Sequence, residues 1–412
     1  MSPKSRGRPK GRGRPAARYR PPVRELTELD RLLHESRGVR DCTLLEAEAA
    51  ASAWLGSAWQ KRTLGQRDGE GDLVRAVVAA RRGSRANAAY LALHALATIP
   101  HGDWRDAVDA ALEAAPLDAA PDWAVDPRTR VPEAPYRAQR WSDPWGSNLV
   151  YLLRFTEPVE HSLIVNETTV GGRYVHTIEV GVQGAEPDPV IDDLTVTEVD
   201  PGDALADIAD ALWQTDMSWP PQDDTDYTLN RALAHWRTRG HRREVEWEPL
   251  PDDERRHLID DFTAEQTAED DTSIVEVLAD TFIDFGDGYL HGGVLAWNPG
   301  EVSRFMLDWV HRKVLLEPEC IDALPTVLDA WVRFALRRRG LAAEHIAPVL
   351  DAVAEAKDEF YDLSTDESAG GPAKEILTRV LADGVDLHDR DAVDRVIGAY
   401  NAEQNARRLL EP

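Results

Sequence analysis

The sequence predicts a mainly α protein with a smaller α+β module at its centre and a disordered basic tail in front. Three observations predict it. Apolar residues recur at helical spacing over residues 25–115 and again from about residue 252 onward. Between them, a near-continuous apolar run and two alternating stretches around Gly171-Gly172 have the period of strands. Residues 1–24 hold nine cations and no acid, with too little apolar surface to bury.

The N-terminal helical domain, residues 25–115, is expected from four stripes. Leu26, Leu29, Leu32 and Leu33 form the first, and Leu44, Ala47, Ala51, Leu55 and Trp59 the second. Leu91, Leu93, Leu96 and Ile99 make a third, and Val108 and Leu112 anchor a fourth. Residues 116–147 then change character. Pro116, Pro121, Pro127, Pro132, Pro135 and Pro144 break any long element, while Trp123, Trp141 and Trp145 argue for a connecting segment packed along the surface.

The α+β module spans residues 148–251. Its strands are expected at Asn148–Thr156, His161–Val170, Arg173–Val182 and Leu194–Val199, with a two-residue hairpin turn at Gly171-Gly172. Strict alternation puts Tyr174, His176, Ile178, Val180 and Val182 on the apolar face, which makes His176 a core histidine. Arg173, Thr177 and Glu179 take the other face. Two helices follow. One is opened by Asp200-Pro201 and carries Leu205, Ile208 and Leu212; the other, Asp226–Arg239, carries Leu229, Leu233 and Trp236.

Residues 252–412 read as an all-helical C-terminal domain. Asn298-Pro299-Gly300-Glu301 starts a helix, with Asn as N-cap and Pro at the first helical position. That helix presents Val302, Phe305, Met306 and Trp309. Leu324, Leu328, Trp331 and Phe334 lie on the next, which ends at Arg337-Arg338-Arg339-Gly340 with cations in the last turn and glycine beyond it.

Charge divides the chain. The whole carries −27, so subtracting the +9 of residues 1–24 leaves −36 on residues 25–412. A body this acidic is repelled by nucleic acid and by anionic membranes unless something tethers it. Cys42 and Cys320 stand too far apart for a disulfide framework or zinc spacing, and no stretch approaches 18 consecutive apolar residues. The basic N-terminus lacks the apolar core of a secretory leader, so a cytoplasmic location is expected. Heavy use of Ala, Arg, Gly, Pro and Asp suggests a G·C-rich coding genome of actinobacterial type.

Chemistry-bearing motifs are sparse. The sequence contains no phosphate-cradling loop, HExxH, GxSxG elbow or paired CxxC, and no cofactor is expected. Asp284, Asp287 and His291 cluster in TFIDFGDGYLHGG, but Gly286, Gly288, Gly292 and Gly293 mark that stretch as a turn-rich connection rather than a metal site or catalytic centre. Arg231, His235, Arg237, Arg239, His241, Arg242 and Arg243 form a second basic cluster. Glu244, Glu246, Glu248 and Asp252 follow at once, so a self-neutralising surface is expected there. Arg333 with Arg337, Arg338 and Arg339 forms a third cluster, expected as a solvated helix terminus.

The first cluster contains Arg6-Gly7-Arg8-Pro9 and Arg12-Gly13-Arg14-Pro15, and this stretch resembles the AT-hook. The resemblance implies binding in the minor groove of A·T-rich double-stranded DNA through Arg6, Gly7, Arg8, Pro9, Lys10, Arg12, Gly13, Arg14 and Pro15. A narrow A·T groove has enhanced negative potential that attracts inserted arginines. Glycine between two arginines lets the backbone lie on the groove floor, and proline fixes the direction of the chain. Only Lys10-Gly11 separates the two copies, closer than in usual tandem hooks. Residues 280–341, with Trp297-Asn298-Pro299, Asp308-Trp309 and Leu324-Pro325 through Phe334, look like a helical segment of uncharacterised actinobacterial proteins, which implies no activity.

Together these features suggest a non-enzymatic, DNA-associated protein whose acidic body binds a partner or self-associates. The alternative is a protein–protein interaction module whose tail is a generic polyanion arm or has no role. A carboxylate-dependent enzyme ranks last.

Overall fold

A computed structural model describes residues 27–410, apart from 64–67, 82–85, 101–103, 115–119, 127, 183–186, 188–193, 244–247, 267–270, 366–371 and 386–388. It is mainly helical, with one five-stranded antiparallel sheet in the middle and helices on both sides of it in sequence.

The first five helices are α1 (Glu28–Glu35), α2 (Leu44–Gln60), α3 (Gly69–Ala80), α4 (Ala86–Thr98) and α5 (Arg105–Glu113). Two start on reciprocal capping boxes: Thr27 with Asp30 for α1, and Thr43 with Glu46 for α2. Asp68 caps α3, a helix that the spacing of apolar residues did not predict. Leu33, Leu55, Val74, Val77, Leu93 and Leu96 close the first core.

The sheet comprises β1 (Arg137–Ser142), β2 (Asn148–Phe155), β3 (His161–Thr168), β4 (Tyr174–Val182) and β5 (Thr195–Val199), in the order β4-β3-β2-β1-β5. Strand β1 corrects one expectation: part of the proline-rich connection is a sheet strand, paired with β2 on one side and β5 on the other. Trp123 from the same connection is buried and donates to the carbonyl of Val39. Strand β2 is buried on both faces, which accounts for its continuous apolar run. Leu149, Tyr151, Leu153 and Phe155 face α6 (Pro201–Met217), while Val150 and Leu152 pack with Ile164, Trp141 and Leu194 on the reverse face.

A β-bulge overturns the alternation expected for β4. Asn166 pairs with Thr177 but Glu167 pairs with Val175, which leaves His176 as the extra residue. The face therefore switches at that point. Val175 and Ile178 are both buried, and His176 is exposed rather than a core residue. Arg173, expected opposite the apolar face, is 7% exposed. The hairpin loop is also longer than two residues: β3 ends at Thr168 and β4 begins at Tyr174, with Gly171 and Gly172 at φ of 75° and 127°.

Helix α7 (Thr225–Arg237) joins two cores. Tyr227 and Ala234 belong to the sheet core, whereas Ala232, Leu233 and Trp236 belong to the core of the first helices. Leu229, expected on its buried stripe, is 38% exposed. Helices α2 and α7 approach so closely that a Cβ on Gly56 would lie 1.7 Å from the carbonyl oxygen of Thr228.

The remaining helices are α8 (Asp252–Ala264), α9 (Thr272–Tyr289), α10 (Pro299–Arg304), α11 (Val310–Lys313), α12 (Pro318–Arg338), α13 (Ala343–Thr365), α14 (Pro372–Ala382) and α15 (Arg390–Leu410). One π-helical stretch, Phe305–Trp309, links α10 to α11. Asn298 caps α10, accepting from the Glu301 amide at 3.0 Å, and Gly340 at φ 79° follows α12, as the sequence predicts. Phe262, Phe282, Phe285, Trp297, Phe305, Trp331 and Phe334 form an aromatic core. Helix α9 corrects the turn-rich expectation, because Asp284 to Tyr289 are helical and only the residues after Tyr289 form the connection. No helix among the described residues is long and apolar enough to cross a membrane.

Candidate functional site

The proposed DNA-contacting residues Arg6, Gly7, Arg8, Pro9, Lys10, Arg12, Gly13, Arg14 and Pro15 lie outside the described residues. The other two basic clusters can be followed atom by atom, and most of their arginines pair with carboxylates of the body, while Arg239 and Arg339 donate to backbone carbonyls.

The self-neutralising surface expected of the second cluster does not extend to Arg231 and Arg237, which are buried; Arg239, His241, Arg242 and Arg243 are exposed, and Glu244 and Glu246 lie outside the described residues. Arg231 and Arg237 are 6% and 2% exposed, and their carboxylate partners, Asp216, Glu70 and Glu48, all precede them in the chain. Arg237 Nη2 donates to Glu48 Oε2 of α2 at 2.6 Å, and Arg130 binds the other oxygen of the same carboxylate. Beside them the His161 ring stacks on Phe155 with centroids 5.0 Å apart. Burial, with the nearby Arg237 charge, pushes this imidazole below its ordinary value.

Arg231 belongs to a second buried group. It grips Asp216 through Nε at 2.8 Å and Nη2 at 2.6 Å, and reaches Glu70 of α3 through Nη1 at 2.7 Å. The Tyr227 hydroxyl donates to Asp216 at 2.9 Å, and His235 Nε2 lies 2.8 Å from its other oxygen. Burial disfavours the Asp216 carboxylate, but the Arg231 and His235 charges override it and hold Asp216 far below the usual carboxylate range. Trp59 lies between two guanidinium groups, Arg62 at 4.2 Å and Arg231 at 4.5 Å from its ring centroid.

A third group surrounds Arg173. Its Nη2 donates to Glu167 Oε1 at 2.6 Å and to the Tyr151 hydroxyl at 3.2 Å, and its Nη1 donates to Asp207 at 3.1 Å. Arg243 then binds Asp207 and Asp210, and Arg242 covers the ring of Trp213 at 4.2 Å. Burial pushes the Glu167 carboxyl up and Arg173 opposes it. Glu167 Oε2 and Arg140 Nε are buried without a hydrogen-bond partner among the described residues.

These groups are built for holding elements together. Each carboxylate is engaged by guanidinium, hydroxyl or imidazole donors, and breaking such a buried pair is costly because it strands a charge. The third cluster is a solvated helix terminus, as expected. Arg333 pairs with Asp329, Arg337 with Glu265 and Arg338 with Asp261, all exposed, while Arg339 donates to the Trp145 carbonyl at 3.1 Å. Asp284 binds Arg255, and Asp287 accepts from the Leu250 amide at 3.1 Å. Among the described residues no group of three or more His, Cys, Asp or Glu could hold a metal ion.

One surface feature was missed in the sequence. Trp213, Met217 and Trp219, at and just beyond the end of α6, are 42%, 69% and 50% exposed. The available clue was spacing: Trp213 and Met217 are four residues apart and fall off the Leu205, Ile208 and Leu212 stripe. In comparisons with known proteins, the chain matches no family model, no curated protein and no solved structure.

Proposed function

We propose that this is a DNA-associated protein that is tethered to the minor groove of A·T-rich duplex by residues 6–15, while its acidic body binds a partner or a second copy. One observation carries the reading. Of three basic clusters, the two in the body pair six of their nine arginines with its own carboxylates, through Arg231, Arg237, Arg243, Arg333, Arg337 and Arg338. The cluster in residues 4–24 has no acid of its own to pair with. The tail is thus the part of the chain whose composition suits a polyanion, and its two Arg-Gly-Arg-Pro stretches suit the A·T groove. Such a protein would work in the cytoplasm, at the nucleoid.

Replacing Arg8 and Arg14 together by alanine tests the assignment by fluorescence anisotropy on an A·T-rich duplex. The expected outcome is a loss of affinity on the order of tenfold or more with unchanged circular dichroism, since each groove-inserted arginine contributes about 1 kcal/mol or more. Unchanged affinity sinks the assignment.

A further inference from the structure

We propose that the N-terminal tail also has a docking surface on its own body, formed by Met217 and Trp219 with the Asp223 and Asp226 carboxylates, and that docking there competes with DNA. The competition rests on the DNA reading above; the contact itself does not.

Thr27 caps α1, and Glu28 is ion-paired with Lys61 at the end of α2. The neighbours of Lys61 hold the segment that follows α6. Gln60 Nε2 donates to the Asp223 carbonyl at 3.4 Å, and Arg62 Nη2 donates to the Asp216 carbonyl at 3.0 Å. The described chain therefore begins close to residues 216–223.

That segment presents what a tail of this composition would bind. Met217 and Trp219 are among the most exposed large apolar side chains of the described residues, at 69% and 50%. Asp223 and Asp226, four and seven positions beyond Trp219 in the chain, are exposed. Guanidinium groups stack on indole faces, and the body already uses that contact nearby, in Arg62 over Trp59 and Arg242 over Trp213, both at 4.2 Å. Residues 1–24 of the tail bring seven arginines and no acid. Extended chain covers about 3.3 Å per residue, so Arg18, Arg20 and Arg24 come within about 30 Å of Thr27 with no further structure needed. Each stack or ion pair on such a surface is weak and screened by salt, so the contact is one that a duplex can displace.

The test uses the full chain and reads tryptic cleavage after Arg12 and Arg18 by mass spectrometry, in the native protein and in a Met217→Ser, Trp219→Ser variant with unchanged circular dichroism. Cleavage about threefold to tenfold slower in the native chain at low salt, lost in the variant and at high salt, is expected for a tail docked most of the time. Equal rates in the two proteins overturn the proposal. Protection that grows with protein concentration overturns it too, by assigning the surface to the tail of a second copy. Affinity for A·T duplex is measured alongside. A rise of about threefold or more in the variant is expected from a released competitor. If neither protein binds DNA while protection is still lost in the variant, the DNA reading fails and the docking surface stands.

Discussion

Arg237 of α7 and Glu48 of α2, 189 residues apart in the chain, meet in a buried ion pair of 2.6 Å. The pair fastens the helix that covers the sheet to the helix at the centre of the first core. Removing one partner strands the other charge in a dry site, at a cost of about 3–5 kcal/mol. Glu48→Gln keeps one acceptor and should fall near the lower end. Urea unfolding is expected to show a lower midpoint with an unchanged slope, and a double Glu48→Leu, Arg237→Met variant should recover part of the loss.

Gly56→Ala tests the close approach of the same two helices. Helix propensity alone favours alanine by about 1 kcal/mol. Against this, the new methyl would sit 1.7 Å from the Thr228 carbonyl oxygen, a backbone atom that no rotamer change can move. Overpacking of that kind costs about 1–3 kcal/mol or more, so the net effect should be destabilising. A melting temperature at or above that of the native protein would show that α2 and α7 do not pack as described.

His94 gives the first core a pH dependence. It is 7% exposed on α4, neither ring nitrogen has a hydrogen-bond partner among the described residues, and burial lowers its value from 6.5 to about 4. The folded state thus holds the neutral ring, while the unfolded chain takes up a proton as pH drops below about 6.5. This residue should therefore reduce stability progressively between about pH 6.5 and about pH 4, with no effect above that window. His94→Leu should flatten that part of the profile, read as urea midpoints near pH 7 and near pH 5. An equally steep fall in the variant would assign the acid sensitivity elsewhere.

Local features were legible in the sequence where the determinants are local. Asn298-Pro299-Gly300-Glu301 and Arg339-Gly340 carry cap chemistry within a few residues, and both helix ends lie where that chemistry places them. Helix α3 was missed because Gly69 and Gly71 depress its propensity, and its start depends on the Asp68 side chain. Strand β1 was hidden among prolines because the sheet, not its own residues, makes it a strand. His176 was misplaced because a bulge shifts the face of every residue beyond it, and only cross-strand pairing reveals the bulge. Arg231 and Arg237 read as surface residues for a similar reason. The carboxylates that bury them, Glu70 and Glu48, lie 161 and 189 positions away.

Anisotropy with matched A·T-rich and G·C-rich duplexes, over a salt series and with and without residues 1–24, separates a minor-groove tether from a generic polyanion arm. The account predicts a tail-dependent preference for the A·T duplex, with a log–log salt slope of about −4 to −8 for roughly five to nine phosphate contacts. Equal affinity for the two duplexes, or binding that survives loss of the tail, would contradict it.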